Sequence, residues 1–335
     1  MNRALNRFIW LLAAATLFLI CSGGMVTSKN VGLAVPDWPT TFGYNMFLFP
    51  VSQWVGGIFF EHTHRLIASA IGFFTIVLAV WLWRAEERRW LRTLGWMALA
   101  AVIVQGVLGG LRVTMLKDEI GIFHACLAQA FFALLVFIGL ATSRTWARIK
   151  ARAPGAVLWL PLATTLLIYF QLALGATMRH QHRDLAILDF PLAYGQVIPD
   201  TSAETLARVN DWREARALST VDAGHIWLQM AHRVVALLMT AGVIGYVGAA
   251  KRNGTPHPLR HLSVVWVLCV LFQVTLGAWT IWSNKAADVA TAHVAVGATM
   301  LALGVSICAL VMRARAADEP APQPARLHPE EAHAL

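Results

Sequence analysis

The chain has 335 residues, 58% of them apolar and 13% charged, with a formal charge of +9. A soluble domain is nearer half apolar and a quarter charged, so this balance excludes a disordered chain, a secreted miniprotein and a cytosolic globule, and points to an integral membrane protein. The positive charge falls in short clusters between apolar stretches, which is the pattern of membrane orientation and not of a nucleic-acid surface.

Taken in chain order, eight uncharged runs stand out: 8–28, 66–83, 93–111, 120–143, 153–178, 234–250, 261–284 and 289–312. The first has no small-residue cleavage site and reads as a span, not a secretory signal. A helix needs about 20 residues to cross the hydrocarbon. The second and sixth runs reach that length only if they extend N-terminally, through Glu61–Arg65 and through His232–Arg233. The mainly apolar segments Trp54–Phe60 and Ala223–Ala231 support that extension. Ionisable residues inside a membrane are costly and mark a functional site.

Lys and Arg set the orientation. Arg3 and Arg7, then Arg84, Arg88, Arg89 and Arg92, then Arg144, Arg148, Lys150 and Arg152, then Lys251, Arg252 and Arg260, then Arg313 and Arg315 fall on one side. The short alternate loops carry Lys29, Arg112, Lys117 and Lys285. By the positive-inside rule both termini face the cytoplasm of a cell inner membrane, and the long loops 29–60 and 179–222 lie outside. The tail, 316–335, is rich in Ala, Pro, Glu and His and is expected to be disordered, with His328 and His333 as isolated residues and not metal ligands.

The chain repeats itself. Glu61-His-Thr-His64-Arg65 matches Gln229-Met-Ala-His232-Arg233, and Gln105-Gly-Val-Leu-Gly109 matches Gln273-Val-Thr-Leu-Gly277, both at an offset of 168; His124 matches His293 at 169. Pro36-Asp-Trp-Pro39 pairs more loosely with Leu188-Asp-Phe-Pro191 at 152, the difference being taken up in the longer second outer loop. The expected fold is therefore all-α: eight transmembrane helices as two tandem four-helix bundles, related by a pseudo-twofold axis along the membrane normal. The halves are 1–152 and 153–315, followed by the tail.

Four of twelve histidines, His64, His124, His232 and His293, lie inside spans at paired positions near the outer ends of their helices. Two imidazoles at equal depth on facing helices can clamp one iron porphyrin from both sides. A hydrogen-bonded polar residue at a helix interface is the plain alternative for any one of them, and a non-haem metal is another. Gly106, Gly109, Gly110, Gly175 and Gly277 either make room for a macrocycle or serve close helix packing. Arg65 and Arg233 follow the first histidine of each half and are candidate partners for haem propionates, or snorkelling cations at the aqueous boundary. His62 points to another face and is not a second ligand.

Glu61 breaks the symmetry. It lies on the face of His64, and its counterpart is the neutral Gln229. A carboxylate there could transfer protons or stabilise developing positive charge; the alternative is a structural Glu paired with an Arg. The cysteines, Cys21, Cys126, Cys269 and Cys308, all lie in spans and form no disulfide framework, and no C-x-x-C-H exists for covalent haem attachment.

The E-x-x-H-R at 61–65, the Gln-x-x-Leu-Gly repeats, the Pro-Asp-Trp-Pro loop and the four paired histidines together resemble the haem A synthase family, over residues 8–315. The resemblance implies an enzyme that oxidises a methyl substituent of haem O to a formyl group, giving haem A for terminal oxidases. It implies haem b as cofactor on His232 and His293, haem O as substrate on His64 and His124, and Glu61 as the essential carboxylate. It also implies an electron donor and a haem O synthase as partners. The chain departs from those family members that carry a cysteine pair in the first outer loop, since residues 29–60 contain none. A bis-His dihaem electron carrier and a haem or small-molecule transporter are the competing classes; the first would need no Glu61.

Overall fold

A computed structural model describes residues 2–149, 156–181, 185–252 and 257–316. The 316–335 tail expected to be disordered lies, apart from Ala316, outside the described residues. Among the described residues ten α-helices follow one another: α1 (Arg3–Ser28), α2 (Gly56–Ala85), α3 (Arg89–Met115), α4 (Asp118–Ala141), α5 (Arg144–Arg148), α6 (Ala156–His180), α7 (Ala203–Glu214), α8 (Ala223–Arg252), α9 (His257–Trp282) and α10 (Ala287–Ala316). Eight of them, all but α5 and α7, are long and apolar enough to cross a membrane. The protein is thus a multi-pass membrane protein.

The N-terminal extensions are real. Both α2 and α8 run for 30 residues and carry Glu61–Arg65 and His232–Arg233 within their helical length. The two short helices have no counterpart among the expected spans. Helix α7 is a polar 12-residue segment in the long loop between α6 and α8, started by Ser202, whose hydroxyl accepts from the Thr205 amide. Helix α5 is capped likewise by Ser143, which accepts from Trp146 N.

Packing follows the repeat. In the first half α1 meets α2, α2 meets α3, α3 meets α4 and α4 returns to α1; in the second half α6, α8, α9 and α10 close the same ring. The halves join through α1 with α10, α4 with α6, and α4 with α10. Exchanging the halves maps this set onto itself, consistent with an axis running between α4 and α10. These are also the two most buried spans. Ala298 and Ala302 of α10 enter the core of the first half, beside Leu78 and Leu135, while Ala133 and Leu140 of α4 enter that of the second, beside Tyr246 and Trp266. Small side chains at that seam let the backbones approach closely, which is the main source of helix adhesion in lipid. Trp266 is fully buried and donates its indole N–H to the Met300 carbonyl at 3.1 Å, so its own donor is satisfied.

Above each ring the long loop, between α1 and α2 or between α6 and α8, folds into the same small roof. Asp37 accepts from the amides of Phe42 and Gly43, both at 2.8 Å, and from the Thr40 hydroxyl at 2.5 Å. Asp189 accepts from the amides of Tyr194 at 2.8 Å and Gly195 at 2.9 Å. Single bridges pair Thr41 with Tyr44 and Ala193 with Gln196. Between them Phe42 and Gly43, and likewise Tyr194 and Gly195, hold two consecutive positive φ angles, as a type I′ hairpin turn requires, which is why glycine stands second in each. The peptide bonds Trp38–Pro39 and Phe190–Pro191 are both cis. All these pairs are 152 apart, the loose offset seen in the sequence.

Partial burial of Asp37 works against its ionisation, but the Gly43 amide, the Thr40 hydroxyl and the Phe42 amide together hold its carboxyl below the ordinary value of 3.8. A depressed folded value means that the carboxylate stabilises the loop fully above that ordinary value and loses the contribution as pH falls through the folded one. Acidification is therefore expected to make the first outer loop sensitive to an acid-active protease. Asp37→Asn should be sensitive already at neutral pH and should lack the pH step.

Trp38 closes the roof onto α3. A Cβ at Gly110 would stand 2.3–2.5 Å from three atoms of the Trp38 ring, so only glycine fits there. Gly110→Ala is expected to cost about 1–3 kcal/mol by overpacking and to loosen the roof. A lowered thermal midpoint of the purified protein, with a protease cut between residues 29 and 55, would register it.

Candidate functional site

His64 lies on α2 and His124 on α4; His232 lies on α8 and His293 on α10. In each ring these two helices stand at opposite corners, so the paired side chains project toward one another across the bundle interior and not into a helix seam. His64 and His124 are within electrostatic reach of each other, and so are His232 and His293.

Each imidazole is seated by a glycine on a neighbouring helix. A Cβ at Gly23 of α1 would lie 3.0 Å from Cε1 of His64, and one at Gly109 of α3 would lie 3.3 Å from that of His124. In the second half Gly175 of α6 takes His232 at 3.4 Å, and Gly277 of α9 takes His293 at 3.2 Å. All four Nδ1 atoms are enclosed and without a hydrogen-bond partner, although each residue keeps part of its surface open. With Cε1 against glycine and Nδ1 enclosed, the edge left open is the one carrying Nε2.

A glutamine one turn before each of three glycines anchors the backbone. Gln105 donates to the His124 carbonyl at 3.1 Å, Gln273 to that of His293 at 2.9 Å and Gln171 to that of His232 at 2.9 Å. Glutamine and glycine at i and i+4 share a face, so one helix stripe both holds the histidine's backbone and seats its ring. Gln171-Leu-Ala-Leu-Gly175 is thus a third copy of the Gln-x-x-Leu-Gly pattern. Its first-half equivalent, 152 residues earlier, is Leu19-Ile-Cys-Ser-Gly23, where the glycine is kept and the glutamine is gone. The sequence reading missed Gly23 and the role of Gln171; subtracting 152 from Gly175 would have found the first. Of the other glycines singled out, Gly106 meets open space and Gly110 serves Trp38.

Glu61 is 4% exposed, and both its oxygens are engaged. Oε1 pairs with Arg65 at 2.6 Å and Oε2 accepts from the Val35 amide at 2.9 Å. Gln229 does the same work as an amide: Oε1 accepts from Ile187 N at 2.8 Å and Nε2 donates to Ile187 O at 3.1 Å. The four terminal N–H groups of Arg65 go to the carbonyls of Asp37 (2.6 Å), Thr40 (3.1 Å) and Val35 (2.8 Å) and to Glu61. Arg233 repeats this on Asp189 (2.7 Å), Leu192 (2.8 Å) and Pro191 (3.4 Å). Both arginines clamp the roof, and a ligand carboxylate reaching Arg65 would displace a loop carbonyl. His62 turns up into the roof, with its ring centroid 4.7 Å from that of Trp54 and 5.1 Å from that of Phe49.

Among the described residues no three His, Cys, Asp or Glu side chains converge on a point where they could hold a metal ion. The four cysteines are free. A mononuclear non-haem site needs more protein ligands than any pair here offers, whereas a porphyrin brings four of its own and asks for two. The donor set, the open Nε2 edges and the absence of a third ligand fit a haem in each half.

The sequence model of the cytochrome oxidase assembly protein family (COX15-CtaA) matches residues 6–305. The chain is 25% identical to a haem A synthase of Geobacillus kaustophilus over 313 residues, covering 88% of this chain and 87% of that protein. A haem A synthase of Shouchella clausii is 29% identical over 216 residues, 62% of this chain and 69% of that protein. One from Beijerinckia indica is 26% identical over 325 residues, 84% of this chain and 85% of that protein.

Proposed function

The chain belongs to the cytochrome oxidase assembly protein family, and on that premise we propose that it is a haem A synthase, a membrane oxidoreductase that converts the methyl substituent of haem O to the formyl group of haem A. The observation that carries this reading is the pair of cross-bundle histidine couples, each ring seated on a glycine, with a carboxylate beside one couple and an amide beside the other.

His64 and His124 would take haem O as substrate, and His232 and His293 would hold a resident haem b. Bound there, haem b supplies one-electron redox chemistry. The halves differ as these two tasks require. Around the second couple both histidine carbonyls are anchored by glutamine, which suits a group that stays. Around the first couple His64 has Leu19 where His232 has Gln171, a looser seat that suits a ligand that enters and leaves. Glu61, three residues from His64, is placed to accept or return the protons released as a methyl group is oxidised. Its ion pair with Arg65 keeps it aimed while the roof is closed, and opening of the roof would release both.

The proposed setting is a cell inner membrane, with both termini cytoplasmic and the haem sites toward the outer face, next to an electron donor and a haem O synthase. The test is chromatography of haem extracted from membranes that express this chain together with a haem O synthase. Haem A, or a hydroxylated intermediate, alongside haem B is the expected result. Haem B with unconverted haem O would turn the reading to a bis-His electron carrier, and no haem enrichment would overturn the ligand assignment.

A further inference from the structure

We propose that Arg112 is the carboxylate anchor of the first-half site, a cation that binds a propionate of the substrate haem and fixes its rotation; this rests on the function proposed above. Arg112 lies in the last turn of α3, three residues beyond Gly109 and on the same face as the glycine that seats His124. Its charge is felt at His64, at His124, at Glu61 and at Asp118 of the next helix.

The guanidinium has its own seat. A Cβ at Gly32 of the loop 29–55 would stand 2.7 Å from Nη1; one at Gly121 of α4 would stand 2.5 Å from Nδ1 of His180 and 3.0 Å from Nε of Arg112. Gly32 thus clears the space the guanidinium occupies, and Gly121 clears a space that it shares with the His180 ring. Yet its bonding is almost unspent. Its one hydrogen bond among the described residues is a long one, 3.4 Å from Nη1 to the Gly32 carbonyl. Two carboxylates, Glu61 and Asp118, lie within electrostatic range of it, but none of the ion pairs found among the described residues involves Arg112, and Glu61 is already taken by Arg65 and Val35. A half-buried cation in the outer end of a bundle is expensive without a partner. Arg65, one helix away, shows what a satisfied arginine looks like in this chain. The group that completes Arg112 is an anion that arrives with the ligand, and a guanidinium is shaped to take a carboxylate through two parallel bonds.

The second half has no cation at the equivalent position. The equivalent of Arg112 is Thr280, whose hydroxyl bonds back to the Leu276 carbonyl of its own helix at 2.8 Å, and the equivalent of Gly121 is Ala290. This asymmetry has a chemical reason. Two axial imidazoles fix the plane of a macrocycle but leave it free to turn about the axis joining them. A haem that only passes electrons tolerates that freedom. A haem of which one methyl must be oxidised does not, and one off-axis bond removes the freedom.

The test is a titration of the purified full chain, carrying its second-half haem, with iron protoporphyrin IX and with its dimethyl ester. Binding at the first site is read as the added bis-His Soret absorbance that His64→Ala abolishes. The wild-type chain is expected to prefer the free acid by about ten- to a hundredfold, the worth of a charge-assisted pair. R112Q should bind acid and ester alike, and R112K should keep part of the preference. Equal binding of acid and ester by the wild type, or an undiminished preference in R112Q, overturns the anchor and leaves the proposed function standing. No added haem signal in the wild type overturns the proposed function and the anchor with it. The second-half haem content reports folding of R112Q, and the wild-type comparison needs no variant.

Discussion

Under the proposed function, replacing His293 with alanine is expected to strip the protein of the proposed resident haem and, with it, all haem A formation. His293 sits on α10, the most buried span, with Cε1 against Gly277 and its carbonyl held by Gln273. Neither of those neighbours can replace an axial nitrogen. Loss of an outer-shell partner alone costs metal sites about 10–100-fold in affinity, so loss of the ligand should exceed that. His232→Ala should behave in the same way. The first couple gives the contrasting result: His64→Ala or His124→Ala should keep the resident haem and lose substrate binding. Redox difference spectra with a quantitative haem assay separate the two cases. Resident haem surviving at normal occupancy in His293→Ala, or disappearing in His124→Ala, would reverse the assignment of the two halves. Gly277→Leu offers a gentler version, since a branched side chain there must push the His293 ring off its seat while leaving the ligand chemically intact.

Much of this architecture is legible in the residues, for definite reasons. A span must be apolar over some twenty residues, so the eight helices stand out of the composition, and Glu61–Arg65 inside α2 follows from length alone. The histidine couples are legible because the repeat doubles every signal. What the residues do not disclose is tertiary. Gly23 has no glutamine before it and reads as one more small residue in an apolar helix, until the ring of His64 is placed against it. Arg65 and Arg233 invite a ligand-binding reading because an intramembrane arginine demands a partner, and in the fold those partners are loop carbonyls some 30 residues earlier or 40 residues earlier in the chain. Arg112 reads as a loop cation, because nothing local tells that Gly32 opens a place for it and that its Nε comes to rest near Gly121 and the His180 ring. Helix α7 escapes because its 12 polar residues carry no span signal and only their capping serine marks a start.

The internal repeat also supplies the control that decides what Glu61 does. In the second half, glutamine at the same position accepts the loop amide and holds the roof closed. Glu61→Gln should therefore keep its bond from Val35, and Arg65 should stay anchored by its three carbonyls. Roof, fold and resident haem are expected to persist. What the substitution removes is the negative charge and the ability to carry a proton. If Glu61 acts in proton transfer, haem A formation should fall by about 10²–10⁴-fold, the usual contribution of a general acid or base, while haem b content and substrate binding change little. Glu61→Ala should lose the roof contact as well and show added protease sensitivity in the loop 29–55. Haem extraction measures the first effect and limited proteolysis the second. The role in chemistry is falsified if Glu61→Gln makes haem A at the wild-type rate, because the residue would then be a loop clamp in both halves, with charge incidental to it. The reciprocal change, Gln229→Glu, should leave the second half without new chemistry, since the glutamine anchors on His232 and His293 would still hold the proposed resident haem in place and Thr280 still stands where the first half has Arg112.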